Sequence, residues 1–293
     1  MIYATIVDRI ARDVMYQRVA LALIVLLALA IRLTMTARFV GLDTPPDADA
    51  GGLDVVDYEG LAWRTVSGQG YVLLETGEPT ARRSPGTSFA LMPIYLLFGH
   101  SYLAAHVWFC LLSALTCAAL YTFGRAAGHA GIGLVAALFL ALYPPHAYLS
   151  MHFFSETPFA LAVTAACAAT LLAMKNNDAK WAVVAGIAWG FAHLTRPMII
   201  MCIPAGMLAF ACIREWHTRV GVRQAALILF TALLIVTPWI VRNANEVGAA
   251  SVSTLVGGYT FWGANNTLVL TDPELSGLWL FDERPMEDHP PLV

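Results

Sequence analysis

Seven long apolar segments determine what this chain can fold into. They cover residues 17–37, 103–124, 131–149, 157–174, 181–196, 197–213 and 224–241. A helix of about 20 apolar residues crosses a bilayer core of about 30 Å, and each segment approaches that length. The sequence therefore predicts an all-α polytopic membrane protein with about seven transmembrane helices.

The composition favours a membrane protein over a soluble domain. Hydrophobic residues make up 58% of the chain and charged residues 13%, against about 25% charged in ordinary globular proteins. The mean hydropathy of +0.65 agrees with this. Basic residues are too few and too scattered for nucleic-acid binding, so no nucleic acid is expected as a partner. The chain has no Walker A, GxGxxG, HExxH or GxSxG motif.

Two of the apolar stretches are irregular. Residues 181–196 end at Arg196-Pro197, so this segment is tilted, partly re-entrant or broken at the proline. A further apolar piece, Phe89 to Phe98, is too short to cross the membrane and is predicted to form an interfacial or half-membrane helix.

Charged residues predict the orientation of the segments. With the N-terminus in the cytoplasm, nine of the 17 basic residues fall in short cytoplasmic segments, as the positive-inside rule requires. Sixteen of the 20 acidic residues then lie outside. The predicted organisation is an amphipathic cytoplasmic N-terminus over residues 1–18, a transmembrane module over 17–241 with an external loop over 38–102, and the start of an external C-terminal region over 242–293.

The external loop is the most polar part of the chain. Its middle, Val55 to Val66, has the apolar spacing of a helix on the membrane surface, which Gly68-Gln69-Gly70 would end. Asp54 and Asp57 lie three residues apart in the first part of this helix. Such a carboxylate can deprotonate an acceptor as a general base. The alternative is that both only stabilise the helix N-terminus, where Asp is favoured.

Glu156 is a lone acid at the predicted outer end of a span, four residues after His152. An ionisable group at the membrane boundary is costly unless it is paired or hydrated. Two side chains one helical turn apart could share a divalent metal, although two ligands are a weak signal. The alternatives are a helix cap at Glu156 and a packed interfacial histidine at His152.

Four arginines lie at or inside the apolar segments. Arg83, Arg196 and Arg242 are at predicted outer ends, where arginine either reaches lipid head groups or grips a polyprenyl phosphate. Arg32 lies inside the first segment. A charge there costs about 2.5–3.5 kcal/mol on insertion scales, so a partner is expected, although the sequence does not identify it.

Six short motifs occur in an order that resembles a known family. Together they are similar to bacterial dolichyl-phosphate-mannose-protein mannosyltransferase-like proteins, which are C-type (GT-C) glycosyltransferases related to the aminoarabinose transferase of lipid A. The resemblance covers roughly residues 17 to 270. The motifs are Asp54-Val-Val-Asp57-Tyr58 with Gly68-Gln-Gly70-Tyr71, Arg83-Ser-Pro85-Gly86, Leu142-Tyr-Pro-Pro145 with Ser155-Glu156-Thr157, Leu194-Thr-Arg196-Pro197, Thr237-Pro-Trp239-Ile-Val-Arg242-Asn243, and Gly257-Gly258 through Asn265-Asn266.

The resemblance implies an inverting sugar transfer from a polyprenyl-phosphate donor to a lipid, glycan or protein acceptor. It places the active face outside the inner (plasma) membrane. Asp54 would be the general base, with Asp57 as the second candidate, and Glu156 would orient the acceptor or assist a metal, which some relatives use. The implied substrate-binding residues are Tyr58, Arg83, Arg196 and Arg242.

Members of the resembled family run further, with more spans and a soluble outer domain. The chain is therefore expected to be a fragment or a truncated relative. The alternative function is non-enzymatic: a lipid or solute transporter, or a degenerate relative acting as a scaffold. A transporter places its ionisable residues near mid-membrane, whereas all but Arg32 here cluster at predicted outer ends, which favours surface chemistry.

Overall fold

The chain folds almost entirely into helices. The computed structural model describes residues 14–201, 218–252 and 257–275, and in addition residues 206, 212, 213, 254 and 278. Across these residues there is no β-strand, and Val72 and Pro79 form an isolated antiparallel bridge. The helices are α1 (Val14–Phe39), α2 (Ala48–Gly51), α3 (Leu53–Val66), α4 (Gly86–Phe98), α5 (Tyr102–Ala126), α6 (Ala130–Leu142), α7 (Pro144–Met151), α8 (Glu156–Asn176), α9 (Ala179–Thr195), a 3-10 helix (Pro197–Met201), α10 (Arg219–Glu246), α11 (Gly257–Ala264) and α12 (Thr267–Thr271).

The described helices confirm a membrane protein but not the predicted count of about seven spans. Four of them, α1, α5, α8 and α10, are long and apolar enough to cross a membrane, and the bent pair α6–α7 would make a fifth. α9 has 17 residues and ends at Thr195, directly before Arg196-Pro197, so the predicted break at this proline is confirmed. Most of segment 197–213 and of the N-terminal stretch 1–18, and the tail after residue 278, lie outside the described residues.

The segment predicted as one span over 131–149 is bent, which the sequence analysis did not predict. α6 and α7 meet at Tyr143 with a bend of 57°. The physical cause is Pro144-Pro145, because proline has no N–H to continue the helical hydrogen bonds and its ring clashes with the preceding turn. The bend turns the chain just before it reaches Glu156.

Contacts between helix termini show that the bundle has two distinct ends. At one end Tyr121 donates to Gln17 (2.8 Å), and the Lys175 ammonium donates to the carbonyl of Ala126 (3.0 Å). The other end carries the chain between α1 and α5, the start of α8 and the ends of α9 and α10. We call it the loop end. Every residue predicted to carry chemistry lies there, because each belongs to one of these helix ends or to the first loop.

The first loop is folded against the bundle. The predicted helix over 55–66 is confirmed as α3, which ends at Ser67 before Gly68 takes a left-handed φ of 86°. Whether α3 lies on a membrane surface stays a prediction. Tyr71 continues the packing: its ring meets the ring of Trp239 in α10 edge-on, with centroids 4.9 Å apart. The short apolar helix predicted at 89–98 is also present, as α4.

Candidate active site

Arg83 joins the two aspartates of the first loop. Its Nη1 lies 2.6 Å from Asp54 Oδ1 and its Nε donates to Asp57 Oδ2 at 2.7 Å. The two aspartates lie on one side of α3 because residues three apart in a helix are neighbours. Burial alone would lower the pKa of Arg83, but the carboxylates of Asp54 and Asp57 raise it, and the net shift is upward. The guanidinium therefore stays charged.

Neither aspartate is the N-cap of α3, although Asp54 lies in the first turn, where an acid can stabilise the helix N-terminus. The N-cap of α3 is Gly52, and no side chain caps this end. Asp54 lies in the first turn, yet its carboxylate is held by Arg83. The two carboxylates differ in exposure: 55% of the Asp54 side chain is accessible against 26% for Asp57. Asp54 is thus the one better placed to meet a substrate.

Glu156 forms a second arginine–carboxylate pair, with Arg196. Arg196 Nη1 contacts Glu156 Oε1 and also donates to Ser155 Oγ at 3.1 Å. The Ser155 hydroxyl in turn donates to Glu156 Oε2 at 3.3 Å. Ser155 is the N-cap of α8 but makes no capping bond with its side chain, so both residues face Arg196 rather than the helix backbone.

Tyr58 connects the two pairs. Its side chain is buried and forms a hydrogen bond with Ser155. Burial and the charge of Asp54 raise its pKa, while Arg83, Ser155 and Arg196 oppose the rise. We call the resulting group the arginine–carboxylate site; it comprises Asp54, Asp57, Tyr58, Arg83, Ser155, Glu156 and Arg196.

A close helix contact sets the distance between the two arginines. The first residue of α4, Gly86, lies so near the last turn of α9 that an added Cβ would be 2.5 Å from the backbone nitrogen of Thr195. Arg83 precedes Gly86 by three residues and Arg196 follows Thr195 directly. Only glycine permits this approach, which brings Arg83 and Arg196 close to each other.

A comparison with protein families decides the class of the chain. The family profile described as dolichyl-phosphate-mannose-protein mannosyltransferase matches residues 82–241, more than half of the sequence. The chain belongs to this family. Its membership confirms the resemblance read from the motifs and implies a membrane glycosyltransferase. No curated protein and no solved structure matches the chain significantly.

Within this mannosyltransferase-family chain, the matched range holds only part of the site. Arg83, Glu156 and Arg196 fall inside residues 82–241, whereas α3, with both aspartates and Tyr58, precedes it. The link between the first loop and the matched region therefore includes the contacts of Arg83 and Tyr58. Sequence reasoning missed Ser155 as that link, although the residue belongs to the Ser155-Glu156-Thr157 motif.

Arg242, the third arginine predicted to hold a phosphate, lies apart from the site in this mannosyltransferase-family chain. Its Nε contacts Glu246 at 2.7 Å, and its Nη atoms donate to the carbonyls of Thr80 and Tyr71. The guanidinium also stacks over the ring of Trp239, 5.0 Å from its centroid. These contacts fasten the first loop to the end of α10. A role in phosphate binding stays a prediction.

His152 is not part of a three-ligand metal cluster in the described part of the chain. It is buried against Tyr148 and Phe154, with ring centroids at 5.2 and 6.0 Å. Burial lowers its pKa, and the charge of Asp47 opposes this. Among the residues that the structure describes, no three His, Cys, Asp or Glu side chains come together as metal ligands. The weaker, two-ligand site at His152 and Glu156 stays a prediction.

A buried acid lies beside the site and was not predicted. Glu59 in α3 is 6% exposed, and its Oε1 accepts from Tyr95 at 2.8 Å and contacts His100 Nε2 at 2.6 Å. The His100 ring stacks on Trp63 at 4.4 Å. The only sequence signal was an acid spaced four residues from Val55 and Trp63 on the apolar side of the helix. The contacts of Glu59 with Tyr95 and His100 attach α3 to the end of α4.

Proposed function

We propose that the chain transfers a sugar from a polyprenyl-phosphate donor to a hydroxyl or amine acceptor at the loop end, with inversion at the anomeric carbon. The observation that carries the proposal is the meeting of Asp54, Arg83 and Glu156-Arg196 around Tyr58. This arrangement supplies what such a transfer needs: a base for the acceptor and cations for the leaving phosphate.

The proposed reaction is one displacement. The acceptor oxygen or nitrogen attacks the anomeric carbon while its proton passes to the Asp54 carboxylate. The bond between the anomeric carbon and the phosphate oxygen breaks, and the bonding electrons leave with the polyprenyl phosphate. Attack from the side opposite to the leaving group inverts the anomeric configuration. Asp54 is favoured over Asp57 because its carboxylate is the more exposed of the two.

Arg83 and Arg196 would hold the phosphate and stabilise its charge as it leaves. A guanidinium binds phosphate oxygens in a bidentate manner. In the structure both are paired with carboxylates, so an arriving phosphate would exchange with or join these contacts. Glu156, which is 39% exposed, would orient the acceptor. Tyr58 would support Arg196 and Glu156, because its buried hydroxyl is hydrogen-bonded to Ser155, which contacts both residues.

The proposed orientation places the N-terminus in the cytoplasm and the arginine–carboxylate site on the outer face of the inner membrane. The basic residues of the opposite end support this orientation, because positive charge collects on the cytoplasmic side. Described residues of this kind are Arg18, Arg125, Lys175, Lys180, Arg219 and Arg223. In this proposal the catalytic module spans 17–241, with residues 38–102 as its external loop.

The test uses the chain in lipid nanodiscs with a radiolabelled polyprenyl-phosphate sugar and membrane extract as the acceptor source. Asp54→Asn is expected to lower transfer about 10²–10⁴-fold, the usual contribution of a general base. Glu75→Gln, an exposed acid of the same loop, is the matched control and should transfer at the unmodified rate.

Full transfer by the Asp54→Asn variant would exclude Asp54 as the base, and a loss confined to Asp57→Asn would reassign the role. If the unmodified chain moves no label with any donor, the enzyme proposal fails and the scaffold or transporter alternative takes its place. The anomeric configuration of the product tests inversion separately.

A further inference from the structure

Arg32 is a buried cation that the proposed reaction does not use. It lies in α1 and its side chain is completely buried. Its Nε donates to Ser113 Oγ at 2.6 Å, and Nη2 donates to His146 Nδ1 at 2.9 Å. Because arginine has no acceptor, this ring nitrogen of His146 is the acceptor, and the proton of the neutral ring is on Nε2. The sequence predicted a partner for Arg32 without identifying it. That partner is the segment around the break between α6 and α7.

The break removes the i→i−4 donors of two carbonyls, although the Leu140 carbonyl still accepts from the N–H of Tyr143 at 3.3 Å. In a continuous helix the N–H of residue 144 would donate to Leu140 and that of residue 145 to Ala141. Pro144 and Pro145 have no N–H. Arg32 takes their place: Nη2 donates to the Leu140 carbonyl at 3.3 Å and Nη1 to the Ala141 carbonyl at 3.1 Å. One guanidinium thus supplies both missing donors.

The bend sets the path of the chain into the arginine–carboxylate site. α7 has eight residues and ends at Met151. Phe153 follows with a left-handed φ of 55°, which is uncommon for a non-glycine residue, and its ring is completely buried against Phe109. Ser155 and Glu156 come next. The segment that presents Glu156 to Arg196 is therefore held at its beginning by the bend.

We infer that Arg32 is a positioning residue: it donates the hydrogen bonds that Pro144 and Pro145 cannot make, and so maintains the bend that presents Glu156 to Arg196. The structural part of this inference stands on the contacts of Arg32 alone. Its catalytic consequence rests on the proposed function.

The experiment is a double-mutant cycle on the full chain in nanodiscs. Arg32→Met should lower Tm by about 5 °C or more, because several buried hydrogen bonds to a charged donor are lost. It should also speed backbone hydrogen exchange over residues 139–158. Arg38→Met is the matched control: the same substitution in the same helix at an exposed position. Arg38→Met should change neither Tm nor the hydrogen exchange of residues 139–158.

The decisive background is Pro144→Ala with Pro145→Ala, which restores the two backbone donors. In this background Arg32→Met should cause a clearly smaller loss of Tm, since Leu140 and Ala141 then have helical partners and only the bonds of Arg32 to Ser113, His146 and Ala28 are lost. Sugar transfer should nevertheless fall about 10²-fold in kcat, with KM for the donor little changed, because a straightened helix moves Glu156 away from Arg196. A merely structural arginine would not separate stability from kcat in this way.

Equal losses of Tm in both backgrounds would overturn the inference, as would unchanged hydrogen exchange over 139–158 in Arg32→Met. If Arg32→Met alone does not fold, folding of the triple variant supports the inference and its failure to fold overturns it. If the unmodified chain transfers no sugar, the proposed function fails, while the Tm cycle and the exchange data still decide the role of Arg32.

Discussion

Gly86→Ala separates the two halves of the arginine–carboxylate site with a single methyl group. A Cβ at this position would lie 2.5 Å from the backbone nitrogen and 2.6 Å from the Cα of Thr195. Ordinary contacts begin at 3.4 Å. The nearest atom is the side-chain oxygen of Thr195, but the next two belong to the backbone, so a rotamer change alone cannot make room. The first turn of α4 and the last turn of α9 must therefore move apart by about 1 Å.

The expected magnitudes follow from this displacement. Overpacking a close helix contact costs about 1–3 kcal/mol of unfolding free energy. Arg83 and Arg196 sit on opposite sides of the contact, so their separation grows by a similar distance. A misplacement of about 1 Å in a catalytic group lowers the rate by about 10²-fold. Gly86→Ala should thus reduce transfer far more than stability.

Thermal unfolding in nanodiscs measures the first effect and transfer of a labelled sugar measures the second. Gly258→Ala is the matched control, because Gly258 is also helical and an added Cβ would meet nothing within 4 Å. This variant should be neutral in both assays. If Gly86→Ala behaved like Gly258→Ala, the close contact between α4 and α9 would not set the geometry of the site.

Two further predictions concern histidines near the site. His100→Ala leaves the buried carboxylate of Glu59 with one hydrogen-bond partner fewer, which should cost about 1.5–3 kcal/mol of unfolding free energy. Thermal unfolding measures this loss. His129→Ala, at an exposed position, is the control and should cost nothing measurable. Burial holds the pKa of His152 below its usual 6.5, so the unfolded chain binds more protons between the two values and stability should fall as pH drops below 6.5. A pH series of Tm checks this, and an equally steep fall in His152→Asn would assign the effect to other groups.

Helix formation was predictable from the sequence where it depends on local pattern. Long apolar runs gave α1, α5, α8 and α10, and the helical spacing of Val55 to Val66 gave α3. The break at Tyr143 was missed, because apolar residues on both sides of Pro144 read as one span. The count of about seven spans is not confirmed for another reason: α9 has only 17 residues, and most of segment 197–213 lies outside the described residues.

The site was predictable as a set of residues but not as an arrangement. The motifs named Asp54, Glu156 and both arginines, yet nothing in their order says that Arg83 binds the first-loop acids while Arg196 binds Glu156. Such pairings depend on tertiary contacts between segments far apart in sequence. Glu59 escaped notice because a buried acid on a helix looks, in sequence, like any exposed one.

The attachment of the first loop to α10 determines when the site can be completed during synthesis. Arg242 reaches back over 162 and 171 positions to the carbonyls of Thr80 and Tyr71. The acids of α3 leave the ribosome early, but the residue that secures their loop follows only after the intervening helices have been made. Until then the loop carbonyls lack this donor, and closing so long a connection is entropically costly. A chain stopped before Arg242 would carry the acids of the site without the two hydrogen bonds that attach Thr80 and Tyr71 to the end of α10.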